Sequence, residues 1–311
     1  MLSRVAETIF WLARYMERTN GMLQVLRTNY IASQDEEEDF PWRPYLHLYT
    51  QLKPDEMDKL ETSSRLVLNH LLFDKTSGGS AYYNIVQSRE NARSIQDHIT
   101  KEVWQCLNDF YHFIHEPVLL TQVVSGDPVS AIDMLIRYCV LYNGTVNTTM
   151  TRDEGFIYLN IGKCLEKAIK TTDILRIKLT EVDIDGQQAG EAPVLRYVLY
   201  SLYGFELFVK RFKGNFNVQN VLQLCVYNTD FPHSVMYNLD RLQKLLHMLK
   251  SESLPASYNQ LDFLIGKTTN HVKYSNVEPD NTIQLSDFLF QTRTYLVEIA
   301  GAFNKYYFGT S

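Results

Sequence analysis

The sequence predicts an all-α protein, a multi-helix bundle built from two pseudo-repeats. Three observations lead there. Apolar residues recur at steps of three, four and seven through most of the chain, the spacing of a helix with one buried face. Strand-length runs of alternating apolar and polar residues are sparse. Helical segments of the first half return, in order, in the second. The 311 residues are 45% apolar and 21% charged, an ordinary balance for a chain with a sizeable core. They read as one domain over 1–311, with one pseudo-repeat over about 1–150 and the other over about 151–311.

The first helix is predicted from about Leu2 to Ile31, with Val5, Ile9, Leu12, Met16, Leu23 and Leu26 along its core stripe. The acidic run at 35–39 ends it as a solvated loop. Phe40-Pro41 opens a segment to Tyr49. Pro54 then sits in the first turn of a helix to Phe73, where its missing N–H costs nothing. Ser77-Gly78-Gly79-Ser80 is a break. A long helix follows from about Ala81 to Phe113, carrying Ile85, Ile95, Ile99, Val103, Trp104 and Leu107. Asp127-Pro128 reads as an N-cap with proline at the first helical position. The helix it starts carries Ile132, Leu135, Ile136, Cys139 and Val140.

The second half opens with a helix from about Asp153 to Leu179. A polar linker covers 182–192. Pro193 starts a helix to about Phe212, and Asn217 caps a short one. Asp230 and Pro232 start another through Leu249. Helices near 255–273 and 282–307 close the chain. The duplication rests on three ordered matches. Glu17 aligns with Glu166 at an offset of 149. Pro41 and Tyr45 align with Pro193 and Tyr197 at 152. Ser80, Tyr83 and Asn84 align with Ser234, Tyr237 and Asn238 at 154.

The net charge of −6 argues against a general nucleic-acid binder, which needs a basic surface to displace counterions. No apolar run is long enough to predict a membrane span. Glu7 and Arg14 interrupt any signal-peptide core. Cys106, Cys139, Cys164 and Cys225 stand far apart without a CxxC pair, which predicts reduced, buried thiols and a cytoplasmic protein. No GxGxxG or P-loop is present, so no cofactor is expected. His112, His115 and Glu116 do not have zinc-ligand spacing, and Pro117 ends their helix, so no metal is expected either.

Four segments resemble the bacterial alpha-E domain family, an all-helical family named for a Glu-Arg motif: MLSRVAETIFWLARYMER (1–18), SRENARSIQDHITKEVWQCLN (88–108), MTRDEGFIYLNIGKCLEKA (150–168) and DFPHSVMYNLDRL (230–242). The resemblance implies a partnership with a circularly permuted ATP-grasp protein, and with a transglutaminase-like peptidase, in making or modifying a peptide by amide-bond ligation. Glu17 and Arg18 match the naming motif, and Arg14 the arginine that precedes it. Arg89, Glu90, Asn91 and Arg93 match an Arg-Glu-Asn-Ala-Arg segment, and Arg152 and Asp153 an Arg-Asp pair. Around Glu166 the family's arginines are replaced by Lys163 and Lys167, a point charge in place of a flat bidentate fork.

These residues are the candidate anion- or peptide-binding set. At 100° per residue, Glu7, Trp11, Arg14 and Arg18 share one helix face. Arg14 with Arg18, and Arg89 with Arg93, are like-charged i,i+4 pairs, tolerable only if carboxylates or an anionic ligand compensate them. Two uses fit: internal ion pairs, for Arg89 and Arg93 with Glu7, Glu17 or Glu102, or a shared anion pocket. Glu17 is expected to be buried and ion-paired. Three functions follow: an accessory protein holding an ATP-grasp ligase or its peptide substrate; an enzyme acting on a carboxylate- or phosphate-bearing peptide through the Arg/Glu cluster; or a purely structural, oligomer-forming helical module.

Overall fold

The structure is a computed structural model that describes residues 1–35, 41–180, 192–250, 255–279 and 281–309. The described residues are all-α: 81% of them are helical, in fifteen α-helices and two short turns, with no strand among them. The predicted acidic loop and the 182–192 linker lie almost wholly outside the described residues. The chain divides into two compact units, Met1–Phe10 with Asp153–Ser311, and Trp11–Arg152.

The helices of the first half are α1 (Ser3–Asp35), α2 (Arg43–Tyr49), α3 (Pro54–Glu61), α4 (Ser64–Phe73), α5 (Ala81–Ser94), α6 (Lys101–Ile114), α7 (Pro117–Ser125) and α8 (Pro128–Thr149). Helix α1 is buried on nearly every face between Ile9 and Tyr30, so its polar residues Glu17, Thr19, Asn20, Gln24, Thr28 and Asn29 are buried with the apolar ones. The predicted helix from Pro54 breaks after Glu61, because Ser63 caps α4 by accepting from the Arg65 N–H. The predicted helix over 81–113 also breaks. Its apolar stripe runs on through Ile95 and Ile99, but Thr100 turns extended and its hydroxyl caps α6 at the Val103 N–H.

Helix α7 is absent from the sequence reading, since its nine residues carry no charge to mark a solvent face. Val140 was expected in the core and is 62% exposed. Side chains tie these helices together. Arg27 reaches Asp133 of α8 at 2.5 Å. The Trp42 indole donates to Ser64 at 2.9 Å. Arg65 of α4 donates to the carbonyls of Val123 and Gly126 at 3.0 and 3.1 Å, fastening the C-terminal end of α7. Asp127 caps α8 as predicted.

The second half contains α9 (Glu154–Thr180), α10 (Ala192–Ser201), α11 (Phe205–Phe212), α12 (Val218–Cys225), α13 (Val235–Met248), α14 (Pro255–Lys273) and α15 (Thr282–Phe303), ending in a π-turn (Asn304–Phe308). Helix α9 packs against α10, α13 and α15, and α14 packs against α13 and α15. The predicted helix from Pro193 to Phe212 is cut at Tyr203, which takes a left-handed φ of 57°. The Gly204 N–H then reaches back to the Leu199 carbonyl at 2.8 Å, closing α10. Helix α13 begins at Val235 on a Ser234 cap rather than at Asp230.

The loops before α5 and α13 are built alike. In the first, Asp74 Oδ1 accepts from the N–H groups of Thr76 and Ser77 at 2.7 and 3.0 Å. Ser80 donates to the Asp74 carbonyl at 2.6 Å and accepts from the Tyr83 N–H at 3.0 Å. The Asn84 amide donates to the Ser80 carbonyl at 2.7 Å. In the second, Asn228 Oδ1 accepts from Asp230 and Phe231, both at 2.7 Å. Ser234 donates to the Asn228 carbonyl and accepts from the Tyr237 N–H, and the Asn238 amide donates to the Ser234 carbonyl. Every partner is displaced by 154 residues.

Candidate functional site

The naming-motif residues of α1 are held inside the protein. Arg14 and Glu17 are 8% and 3% exposed, and Arg18 is half-buried. The Arg14 guanidinium lies 4.6 Å from the centre of the Trp11 ring, and that of Arg18 lies 5.9 Å from Tyr15. Aromatic faces attract such cations. Glu17 is buried as expected, and its Oε1 accepts no hydrogen bond. Cys139 and Tyr142 of α8 stand near enough to feel its charge. Burial first, and Glu17 second, push the Cys139 thiol up.

The α5 residues form an internal ion-pair network. Glu90 spans the two like-charged arginines, accepting from Arg89 and Arg93 at 2.7 Å each. Arg89 also donates to Asn108 at 3.1 Å and lies over the rings of Tyr111 and Trp104, at 4.5 and 5.5 Å. The compensating carboxylate is therefore the adjacent Glu90, not Glu7, Glu17 or Glu102. Asn91 is half-buried, and its carbonyl accepts from Ser94 at 2.8 Å.

Arg152 and Asp153 finish helices. Arg152 donates to the carbonyls of Met150 and Asn147 at 2.6 and 2.5 Å, satisfying the C-terminal end of α8. Asp153 accepts from the Phe156 N–H at 3.1 Å and caps α9.

On α9, Glu166 is buried, and Asp173 two turns later pairs with Arg293 at 2.5 Å. Burial raises the Asp173 carboxyl to about 6, against the pull of Arg293 and Arg176 and with a smaller push from Glu166. The same helix places Lys163, Lys167 and Lys170 beside His233. Burial and then these cations, Lys170 foremost, hold that imidazole well below its ordinary value. Its Nδ1 is buried without a hydrogen-bond partner. The Thr171 hydroxyl fixes the loop by donating to the His233 carbonyl at 2.7 Å. Sequence reasoning missed this cluster, although the i, i+4, i+7 spacing of the three lysines was visible.

The four cysteines are all buried. Burial pushes Cys106 up to about 11 and Cys225 up to about 12, which makes them poor nucleophiles. His115 is engaged by Tyr82 and by the Tyr111 carbonyl. Among the described residues no three of His, Cys, Asp and Glu are arranged to hold a metal ion. Among the described residues no helix is long and apolar enough to cross a membrane.

Fold and site together define an all-helical protein with a Glu-Arg pair on its buried first helix. Residues 1–308 match the Alpha-E family, described as "a predicted alpha-helical domain with a conserved ER motif". The chain belongs to the bacterial Alpha-E family. It is 23% identical over 282 residues to an uncharacterized protein of Mycobacterium bovis and to two uncharacterized proteins of Mycobacterium tuberculosis. Each alignment covers 80% of this chain and 30% of the relative, so the chain spans under a third of the length of these relatives. No solved structure matches it significantly.

Proposed function

We propose that this protein is an accessory member of an ATP-grasp amide-ligase system, holding the ligase or its peptide substrate in the cytoplasm. Its direct partner is a circularly permuted ATP-grasp protein, with a transglutaminase-like peptidase acting on the same peptide. The observation that carries this reading is the 30% coverage of the mycobacterial relatives. There the matched segment is under a third of a longer chain. The contacts of the motif residues support it: Arg89, Glu90, Arg93, Arg152 and Asp153 all serve internal pairs or helix ends. The test is co-expression of the chain with a circularly permuted ATP-grasp protein from the same genome, followed by light scattering on a sizing column. A complex of defined stoichiometry supports the reading, and separate elution overturns it.

The two halves are read as copies of one ancestral unit. The matching loops before α5 and α13, displaced by 154 residues, support that duplication. A second functional reading, an enzyme acting on a carboxylate- or phosphate-bearing peptide, is favoured by Glu17. A buried carboxylate oxygen without a hydrogen bond is costly, and functional sites are where such costs are tolerated.

A further inference from the structure

A groove of about 550 Å³ runs along α4, in the size range of small-ligand sites. Leu66, Asn69, His70 and Phe73 form one wall at i, i+3, i+4 and i+7, a single helix face. Ile114, Pro117 and Leu120, from the end of α6 and from α7, line the other side. Arg65 holds the C-terminal end of α7 beside the start of α4, so the two helices run in opposite directions. Leu66 therefore marks one end, with Leu120 a turn inward along α7, and the start of α7 faces the end of α4.

The ends differ in chemistry. At the first, Leu66 and Leu120 are 45% and 43% exposed, and Val124 continues the uncharged surface of α7. At the second stand His70, Asp74, Lys75, Tyr82 and His115. Asp74 is already satisfied: Oδ1 accepts from Thr76 and Ser77, and Oδ2 lies 3.0 Å from His70 Nδ1. The other ring nitrogen, His70 Nε2, is buried without a partner. His115 Nδ1 lies 2.6 Å from the Tyr111 carbonyl and must donate to it. Its Nε2 then accepts from the Tyr82 hydroxyl at 2.8 Å. Lys75 lies over the Tyr82 ring at 5.6 Å and has no ion-pair partner among the described residues. The groove thus offers a lysine without an ion-pair partner among the described residues, an unpartnered imidazole nitrogen and an apolar trough.

We propose that the groove binds the carboxyl-terminal residue of a peptide ending in an apolar side chain. Lys75 takes the terminal carboxylate, His70 Nε2 accepts from the last amide N–H, and the side chain lies between Leu66 and Leu120. Glu116 at the rim disfavours a second carboxylate. The proposal deepens the substrate-holding part of the function above, and it needs no protein partner to be tested.

The experiment is calorimetry on the isolated chain with N-acetyl-Leu-Leu, its C-terminal amide and N-acetyl-Leu-Asp. The free acid is expected to bind one to one, and the amide about tenfold more weakly, as loss of a charge-assisted hydrogen bond implies. Lys75→Gln is expected to erase the difference between acid and amide. Leu120→Asp is expected to abolish binding with an unchanged melting curve, since Leu120 is exposed. Absence of binding, equal binding of acid and amide, stronger binding of N-acetyl-Leu-Asp, or unchanged binding by Leu120→Asp overturns the proposal. A chain that joins the ATP-grasp protein yet binds no peptide overturns this inference alone.

Discussion

Replacing Asp173 by Asn tests the energetics of the α9 core. Asp173 has a side-chain exposure of 7% and pairs with Arg293 at 2.5 Å. Burial nevertheless outweighs the pair and raises the carboxyl from 3.8 to about 6. A folded-state value above the unfolded one means that the group's favourable contribution is fully present below about pH 4. It is lost as pH rises through about 6, because the folded chain must then carry a buried anion. Two units at 1.4 kcal/mol each make the swing about 3 kcal/mol. Asn is neutral throughout. The unfolding free energy of Asp173→Asn, measured by urea titration, should therefore rise relative to wild type by about 3 kcal/mol between pH 4 and pH 7. Subtracting the two proteins cancels the titration of the other carboxylates. A difference that stays constant across that range would refute the reasoning and show that Arg293 fully compensates the charge.

The cap serines provide a comparison of the two halves: Ser80→Ala and Ser234→Ala should each cost about 1–2 kcal/mol in urea unfolding, and by similar amounts. Unequal costs, with one near zero, would argue against equivalent loops. Arg93→Ala should cost under about 0.5 kcal/mol, because its pair with Glu90 is exposed. Arg89→Ala should cost about 2–3 kcal/mol, through loss of its aromatic stacking and its bond to Asn108; equal melting temperatures for the two variants would contradict this. With Cys106 raised to about 11 and Cys225 to about 12, the native protein should react negligibly with a thiol reagent at pH 8. All four cysteines should react once it is unfolded, and fast labelling of the native state would contradict their burial.

Where local chemistry decides an element, the sequence was readable. Asp127-Pro128 and Asn217 are caps whose side chains bond to the next turn, and both occur as predicted. Breaks inside a continuous apolar stripe were not readable. Ile95 and Ile99 keep helical spacing across the gap between α5 and α6, and only the extended backbone of Thr100 reveals it. Tyr203 takes a left-handed conformation that glycine would have announced. Helix α7 escaped notice because it carries no charge, and its apolar side chains Leu120 and Val124 stand in solvent. For the candidate site, the Arg89–Glu90–Arg93 contacts are local on one helix and their compensation was foreseeable. The pairing of His70 with Asp74 was local too, but the Tyr82–His115 bond and the groove depend on how separate helices pack.

The central claim is that this chain assists an ATP-grasp ligase and does not act alone. The measurement that tests it most directly is ADP release by a purified circularly permuted ATP-grasp protein from the same genome, with an apolar-terminated peptide and an amine acceptor, as the chain is titrated in. The account predicts peptide-dependent ADP release that rises with added chain and saturates at a fixed ratio, with none from the chain by itself. A rate that ignores the chain, or turnover by the chain alone, would contradict it.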